Sequence, residues 1–141
     1  MTTIEALQLA MAEIAAILIS AGLIEGEALD PDEIPKREGT IFWPFRCEDP
    51  AAAKKETFCV YKVQALDPFA RGDDLTDRSA TAYIDFWTLL PVTDKRLGKQ
   101  IKRVEDKLNK EGWAVELAAS PYYDSSTKRH QLTLSAEKPI E

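Results

Sequence analysis

The chain has 141 residues, of which 45% are hydrophobic and 30% are charged, and its formal net charge is -6 at pH 7. This length is sufficient for one hydrophobic core, and the composition is far from the polar, highly charged one of disordered chains. The acidic balance argues against general nucleic-acid binding, which depends on clustered Lys and Arg to neutralise phosphates. We therefore expect one folded domain over residues 1–141, with nucleic acid not among its partners.

The start of the chain and the two cysteines bear on the compartment. The first residues include no basic leader, and Glu5 and Glu13 interrupt the apolar run that follows. A signal peptide or a membrane-spanning helix would need a longer uncharged stretch. Cys47 and Cys59 stand in no CxxC or Cys/His metal-binding spacing, and we expect both to be free, buried thiols. The sequence thus predicts a cytoplasmic protein with no membrane partner.

Two stretches have the three-and-four spacing of apolar residues that is typical of an amphipathic helix. In residues 3–21 the predicted inner stripe is Ile4, Leu7, Met11, Ile14 and Leu18. The other face carries alanines with Leu9, Ile17 and Ile19, and it is too apolar to be left wholly in water. In residues 93–111 the predicted stripe is Leu97, Ile101, Val104 and Leu108. We expect both helices, with Gly22 and Gly112 at their ends.

The second predicted helix is basic in an acidic protein. Its outward positions carry seven cations, which are Lys95, Arg96, Lys99, Lys102, Arg103, Lys107 and Lys110. Such a row of cations can bind an acidic partner surface, or it can be an ordinary solvated face, and both interpretations stay open. We take Lys99, Lys102 and Arg103 as the candidate contact residues.

Four stretches have the composition and alternation of β-strands, namely residues 57–66, 80–90, 113–119 and 129–136. Their order in the chain predicts two hairpins, and so an α+β fold with a largely antiparallel four-stranded sheet and both helices packed on one face. In the second strand, Tyr83 and Trp87 point away from the core side chains of Ile84 and Phe86. Because exposed aromatic residues often anchor interfaces, Tyr83 and Trp87 are candidate interaction residues.

Residues 23–56 are rich in proline and are predicted to form an irregular connector. Its aromatic run at 41–45 is compatible with a short edge strand, because Pro44 cannot donate a hydrogen bond to a central ladder. The interpretation that we favour for this run is plugging of the core.

The polar segment at 67–79 is longer than most hairpin loops. Long loops often carry binding residues, so its charged side chains are candidate interaction residues, which are Arg71, Asp73, Asp74, Asp77 and Arg78. The carboxylates of this segment, together with Asp85, could form a metal-dependent active site, but their spacing does not match a calcium loop. A solvated or interacting loop is therefore favoured.

The sequence contains no recognisable catalytic constellation. His130 is the one histidine and is predicted to face the core at the start of a strand, and no serine or cysteine stands in a nucleophile motif. The six glycines form no phosphate-binding pattern. We therefore expect no enzymatic activity, no cofactor and no bound metal, and we favour a role in protein assembly.

The order of elements, with the runs Cys59-Val60-Tyr61, Tyr83-Ile84-Asp85-Phe86-Trp87 and Gly112-Trp113, resembles the small tail-terminator and tail-completion proteins of tailed bacteriophages and prophages. The resemblance covers the N-terminal helix and residues 57–137, while residues 30–50 have no counterpart in the pattern. It implies a homo-oligomeric ring, six-fold in that family, which terminates the tail tube and joins it to the head. The implied partners are the tail-tube and head-connector proteins, first in the host cytoplasm and then in the virion tail. The alternative hypothesis is a small cytoplasmic adaptor that binds an acidic protein through the basic helix.

Overall fold

The structure is a computed structural model that describes residues 3–46, 55–66, 79–117 and 121–139. These residues form an α+β fold with two α-helices, α1 (Thr3–Ser20) and α2 (Lys95–Lys110). They also form seven strands, which are β1 (Ile24–Glu25), β2 (Ile41–Pro44), β3 (Thr57–Leu66), β4 (Ser79–Thr88), β5 (Ala114–Leu117), β6 (Tyr122–Asp124) and β7 (Arg129–Pro139). The predicted α+β class is therefore confirmed.

The strands form one mixed sheet, so the prediction of a four-stranded, largely antiparallel sheet was wrong in detail. The strand order is β1-β2-β3-β4-β7-β5. The remaining strand, β6, also pairs with β7. β1, β2 and β3 run parallel to one another, and the remaining pairs are antiparallel. The four predicted strands are present, with β4 and β7 as the central antiparallel pair.

The three further strands have two to four residues each. Strands this short carry too few residues for an alternation pattern, and their conformation depends on hydrogen bonds with a neighbouring strand. β2 also corrects the prediction of an edge strand, since it lies between β1 and β3. The sheet accommodates Pro44 because this residue ends β2, beyond Ile41 and Phe42, which pair with β1.

Both helices pack on one face of the sheet. The inward side chains of the longest strands are fully buried there, among them Cys59, Ala82, Ile84, Phe86 and Leu134. The predicted stripe of α2 is confirmed, because Leu97, Ile101, Val104 and Leu108 are all buried. Gly22 and Gly112 follow the helices with φ of 94° and 92°, as predicted for residues that stop a helix in the left-handed conformation.

The buried face of α1 differs from the prediction. It consists of Ala6, Ala10, Ile14, Ile17 and Leu18, and the buried Ala21 follows directly after the helix. Ile4, which was placed in the inner stripe, is 58% exposed, while Ile17, which was placed on the outer face, is only 4% exposed. Since α1 is apolar on every side, apolar spacing did not single out one face. The small alanine side chains allow the helix to lie close to the sheet.

A second buried cluster lies on the face of the sheet that is opposite to the helices. Ile41 and Trp43 of β2 point to this face and pack with Ile34. The covering segment includes two short 3-10 turns, Gly26–Ala28 and Ile34–Lys36. The described part of the predicted connector is therefore structured, and it covers the β2 side of the helix-free face.

Candidate functional site

α2 presents a row of cations to solvent. Asp94 caps its N-terminus, because the Asp94 carboxylate accepts a hydrogen bond of 2.8 Å from the backbone N–H of Arg96. Burial of the apolar stripe turns the other positions away from the core, and seven of them are Lys or Arg against two Asp or Glu. The helix therefore has a net charge of +5 in a chain whose total is -6.

The three predicted contact residues of α2, Lys99, Lys102 and Arg103, are all exposed. Lys102 forms an ion pair of 3.3 Å with Asp106, one turn further along the helix. Within the described ranges, Lys99 and Arg103 form no ion pair. These two side chains keep their positive charge available for a partner.

Lys99 and Arg103 border a cleft of about 440 Å³ between α2 and the segments that lead into β2 and β3. We call it the basic cleft, and its cations are Lys55, Arg96, Lys99 and Arg103. Its lining also includes the carboxylate of Glu56 and the side chains of Thr40 and Gln100, whose hydroxyl and amide oxygen are hydrogen-bonded at 3.0 Å. Cationic donors around a polar concave surface can hold an anionic group.

Two of the four cations of the basic cleft have partners within the chain. The guanidinium of Arg96 lies 3.4 Å from the carboxylate of Asp94 and 3.8 Å from that of Glu56. The hydrogen bonds from Arg96 lower the pKa of Asp94, and the same contact raises the pKa of Arg96. Lys55 donates a hydrogen bond to the backbone carbonyl of Arg37. The cleft is therefore left with the charges of Lys99 and Arg103 facing solvent.

Tyr83 and Trp87 point to the helix-free face of the sheet, as predicted, and both are half-buried. Lys62 of β3 lies over the Tyr83 ring, with 5.5 Å between its ammonium nitrogen and the ring centre. Between the two aromatic residues, Asp85 accepts a hydrogen bond of 2.5 Å from Thr133 of β7. This face is thus separated by the sheet from the basic cleft, and the two sets of predicted residues do not form one site.

The other predicted interaction residues belong to the segment between β3 and β4. Arg71, Asp73, Asp74, Asp77 and Arg78 lie outside the residues that the structure describes. The same holds for Cys47. Their predicted roles stay predictions.

The outer face of α1 exposes large apolar side chains. Ile4, Leu9 and Ile19 are 58%, 55% and 49% exposed, and the exposed Ala12 and Ala16 lie in the same arc of the helix. We call these five residues the α1 patch. Part of the apolar outer surface that the sequence led us to expect to be covered is therefore open to solvent in the single chain.

A second group of exposed apolar residues is contributed by the β4–α2 connection and by strands β5 and β6. We call it the β5–β6 patch, and it consists of Leu89, Val92, Leu117, Tyr122 and Tyr123. Val92 and Leu117 line a shallow cleft of about 310 Å³ beside α2. Leu89 lies in a predicted strand and Leu117 alternates as a core residue would, so the sequence pattern did not single out either side chain as exposed.

His130 and Cys59 have the side-chain chemistry most often used in catalysis, and both pack against other residues of the fold. His130 is half-buried and its ring packs against Tyr123, with 4.9 Å between ring centres. Cys59 is fully buried, and burial, followed by the nearby charge of Asp85, raises the pKa of its thiol well above the ordinary value. Among the described residues, no group of three His, Cys, Asp or Glu side chains is placed to hold a metal ion.

Arg129 is a residue whose role the sequence did not reveal. It is 4% exposed, and its guanidinium donates to the backbone carbonyls of Lys55 at 2.6 Å and Glu56 at 3.1 Å. It also lies over the Phe58 ring at 5.0 Å. These contacts fix the start of β3, and with it one wall of the basic cleft. A charged residue that begins a strand gives no sequence signal of such burial.

No protein-family model and no curated protein matches this sequence. In the part of the chain that the structure describes, neither helix is long and apolar enough to cross a membrane. The inference of function therefore depends on the surfaces described above.

Proposed function

We propose that this chain is a structural subunit of a bacteriophage or prophage tail, which forms an oligomeric ring that terminates the tail tube and joins it to the head. The observation that carries the proposal is the exposure of large apolar side chains on two surfaces that share no residue, the α1 patch and the β5–β6 patch. Contiguous apolar surface is uncommon on monomeric proteins and commonly marks an interface.

The presence of two different patches favours a ring over a two-fold dimer. A two-fold dimer uses one surface that is complementary to itself, whereas a head-to-tail contact joins two different surfaces and closes into a ring when the rotation allows. Each subunit of a ring then buries both patches against its two neighbours. The half-buried Tyr83 and Trp87 on the helix-free face are further candidates for contact with a tail-tube or head-connector protein.

The first test is the mass of the purified protein in solution, measured by sedimentation velocity and light scattering. We expect an oligomer of defined size for the unaltered chain. The variant Ile4→Ser/Leu9→Ser/Ile19→Ser should be monomeric and should keep its far-UV circular dichroism, because these side chains are exposed in the single chain. Asn109→Ser, at an exposed polar position of α2 outside both patches, is the control and should leave the oligomer intact.

The second test addresses the tail itself. Rings mixed with tail-tube protein should be seen by electron microscopy at one end of each tube and should stop its elongation. A chain that stays monomeric at its highest soluble concentration, with or without tube protein, would contradict the proposal. So would an oligomer that the triple serine variant forms equally well.

A second candidate function is an adaptor that binds an acidic protein partner through α2. It is favoured by the charges of Lys99 and Arg103, which are without an ion pair among the described residues. For an adaptor, Lys99→Glu/Lys102→Glu/Arg103→Glu should abolish capture of the partner and leave the mass of the free chain unchanged. For a ring subunit, the same variant should change the mass of the oligomer.

A further inference from the structure

We propose that the basic cleft of one subunit binds an acidic turn of the next copy of this chain, so that opposite charges set the head-to-tail register of the ring. The acidic turn comprises residues 25–33, which include five carboxylates and no Lys or Arg. This inference rests on the proposed function, because it names the polar part of the contact between neighbouring subunits.

The acidic turn is rigidly mounted on the helix-free face of the sheet. Its Leu29 packs against the cluster of Ile34 and Trp43, and the ring of Trp43 lies directly on Gly26. Backbone hydrogen bonds of 3.1 Å from Leu29 to Gly26 and of 2.9 Å from Glu33 to Asp30 close the chain into successive turns. These contacts therefore hold the backbone of the acidic turn in place.

Within the described ranges, the carboxylates of the acidic turn have no cationic partner. Glu27, Asp30 and Asp32 are exposed, and none of the five acidic residues forms an ion pair with another described residue. Burial first, and then the negative charges of Glu27 and Glu25, raise the pKa of Tyr61 in β3.

The basic cleft has the complementary sign. Its lining has four cations against the single carboxylate of Glu56, and Lys99 and Arg103 are exposed to solvent. A volume of about 440 Å³ accommodates a few carboxylate side chains. Lys102 lies outside this lining and is paired with Asp106, so only part of the basic helix is assigned to the contact.

A second copy fits the cleft better than an unrelated acidic protein because both complementary surfaces occur on this chain. No residue of the acidic turn lines the cleft, and the cluster that holds the turn lies on the face of the sheet opposite to α2. Two different surfaces of opposite sign are the requirement of a head-to-tail contact. Exposed ion pairs contribute little affinity individually but orient partners and exclude the wrong register, while the apolar patches supply burial.

The test is a pair of charge reversals with a cross-complementation. The cleft variant is Lys99→Glu/Arg103→Glu, and the turn variant is Glu27→Lys/Asp32→Lys. Each alone places like charges at every contact and should weaken self-association about tenfold or more, as measured by sedimentation velocity at about 0.1 M salt, where charges more than about 10 Å apart are screened. An equimolar mixture of the two should associate again, because each reversed surface then meets its opposite. A single variant that carries all four substitutions should also associate with itself.

Lys95→Glu/Lys110→Glu is the matched control, since it makes the same change of charge on α2 outside the cleft lining. It should leave the association constant within about twofold of the original, because long-range charge effects at exposed sites are screened. Circular dichroism of each variant checks that it is folded.

Three results would overturn the inference. If the unaltered chain associates and the cleft variant associates equally well, this cleft is not part of the contact. A mixture as dissociated as its separate components would show that the cleft and the acidic turn are not partners, and an acidic protein of another kind would then be the occupant to seek. A monomeric unaltered chain would contradict the proposed function itself, and the contact with it.

Discussion

The two helices pack on the same face of one sheet but differ in how they divide apolar and polar residues. α2 buries Leu97, Ile101, Val104 and Leu108 and turns a strongly charged surface to solvent. α1 carries only Glu5 and Glu13 as charged residues and exposes large apolar side chains on its outer face. A helix with one apolar stripe needs one partner, whereas a helix that is apolar all round has surface left for a second.

We therefore assign α2 mainly to the stability of the single chain, and α1 both to stability and to assembly. The charged surface of α2 can remain in water in a single subunit, so burial of its stripe accounts for its apolar residues. Among the described residues of the single chain, no element packs over the α1 patch. We infer that the sequence of α1 serves both the core of its own subunit and the contact with a neighbour.

The largest effect is expected from truncation on the buried side of α1. Leu18 is fully buried, so Leu18→Ala should lower the free energy of unfolding by about 2–5 kcal/mol. Leu9→Ala, the same change on the exposed side, should lower it by less than about 0.5 kcal/mol but reduce the size of the oligomer. Urea denaturation of both variants under dissociating conditions measures the first quantity, and sedimentation measures the second. Equal losses of stability would contradict the division of α1 into two faces.

The next effect comes from the helix-free face, where the Trp43 ring lies against Gly26. A Cβ at Gly26 would lie 2.3–2.8 Å from atoms of the Trp43 ring, so Gly26→Ala should destabilise the chain by about 1–3 kcal/mol. The near-ultraviolet circular dichroism and fluorescence of Trp43 should change with it. A variant as stable as the original would show that the segment at 26–38 is not tightly packed on the sheet.

A smaller effect of opposite sign is expected within α2. Gly98 is exposed, and a Cβ built on it meets no atom within 4 Å. Gly98→Ala should therefore stabilise the chain by about 0.5–1 kcal/mol, because alanine loses less conformational entropy in a helix. Thermal unfolding measures the gain. An unchanged association constant would place Gly98 outside the subunit contact, and a lower one would show that a neighbour approaches the helix backbone there.

The smallest effect concerns pH and the start of α2. Because folding lowers the pKa of Asp94 below its ordinary value of 3.8, its charged form stabilises the folded chain above that pH. This contribution is lost as the pH falls through the folded-state pKa. Asp94→Asn keeps a capping side chain without the charge, so its melting temperature should lie below that of the original at neutral pH and converge with it in acid. A constant difference across this range would contradict the role of the charge.

Much of the fold followed from local patterns. Residues 57–66 are rich in β-branched and aromatic residues, and α2 has a stripe that only one face can satisfy, so both elements were predicted with nearly correct bounds. β1 and β6 span two and three residues, and they are strands because β2 and β7 offer hydrogen-bond partners. The sequence does not encode such pairing locally.

The surface features, like the strands, were predicted from the sequence only in part. The row of cations on α2 and the outward direction of Tyr83 and Trp87 were predicted from spacing alone. The basic cleft was not, because it joins Lys55 and Thr40 to Lys99 and Arg103 across a large separation in the chain. Burial of Arg129 was likewise unpredictable, since its acceptors are backbone carbonyls that only the folded chain brings together.

Composition and periodicity by themselves determined the α+β class, the two helices, the strands β3, β4, β5 and β7 and the basic character of α2. The tertiary structure decided which face of α1 is buried, how β1 and β2 extend the sheet in parallel, and where the charges of opposite sign lie. The physical reason is the range of the interactions. Helix stripes and strand alternation arise from neighbours a few residues apart, whereas burial, strand pairing and electrostatic fields depend on residues that are distant in the chain and close in space.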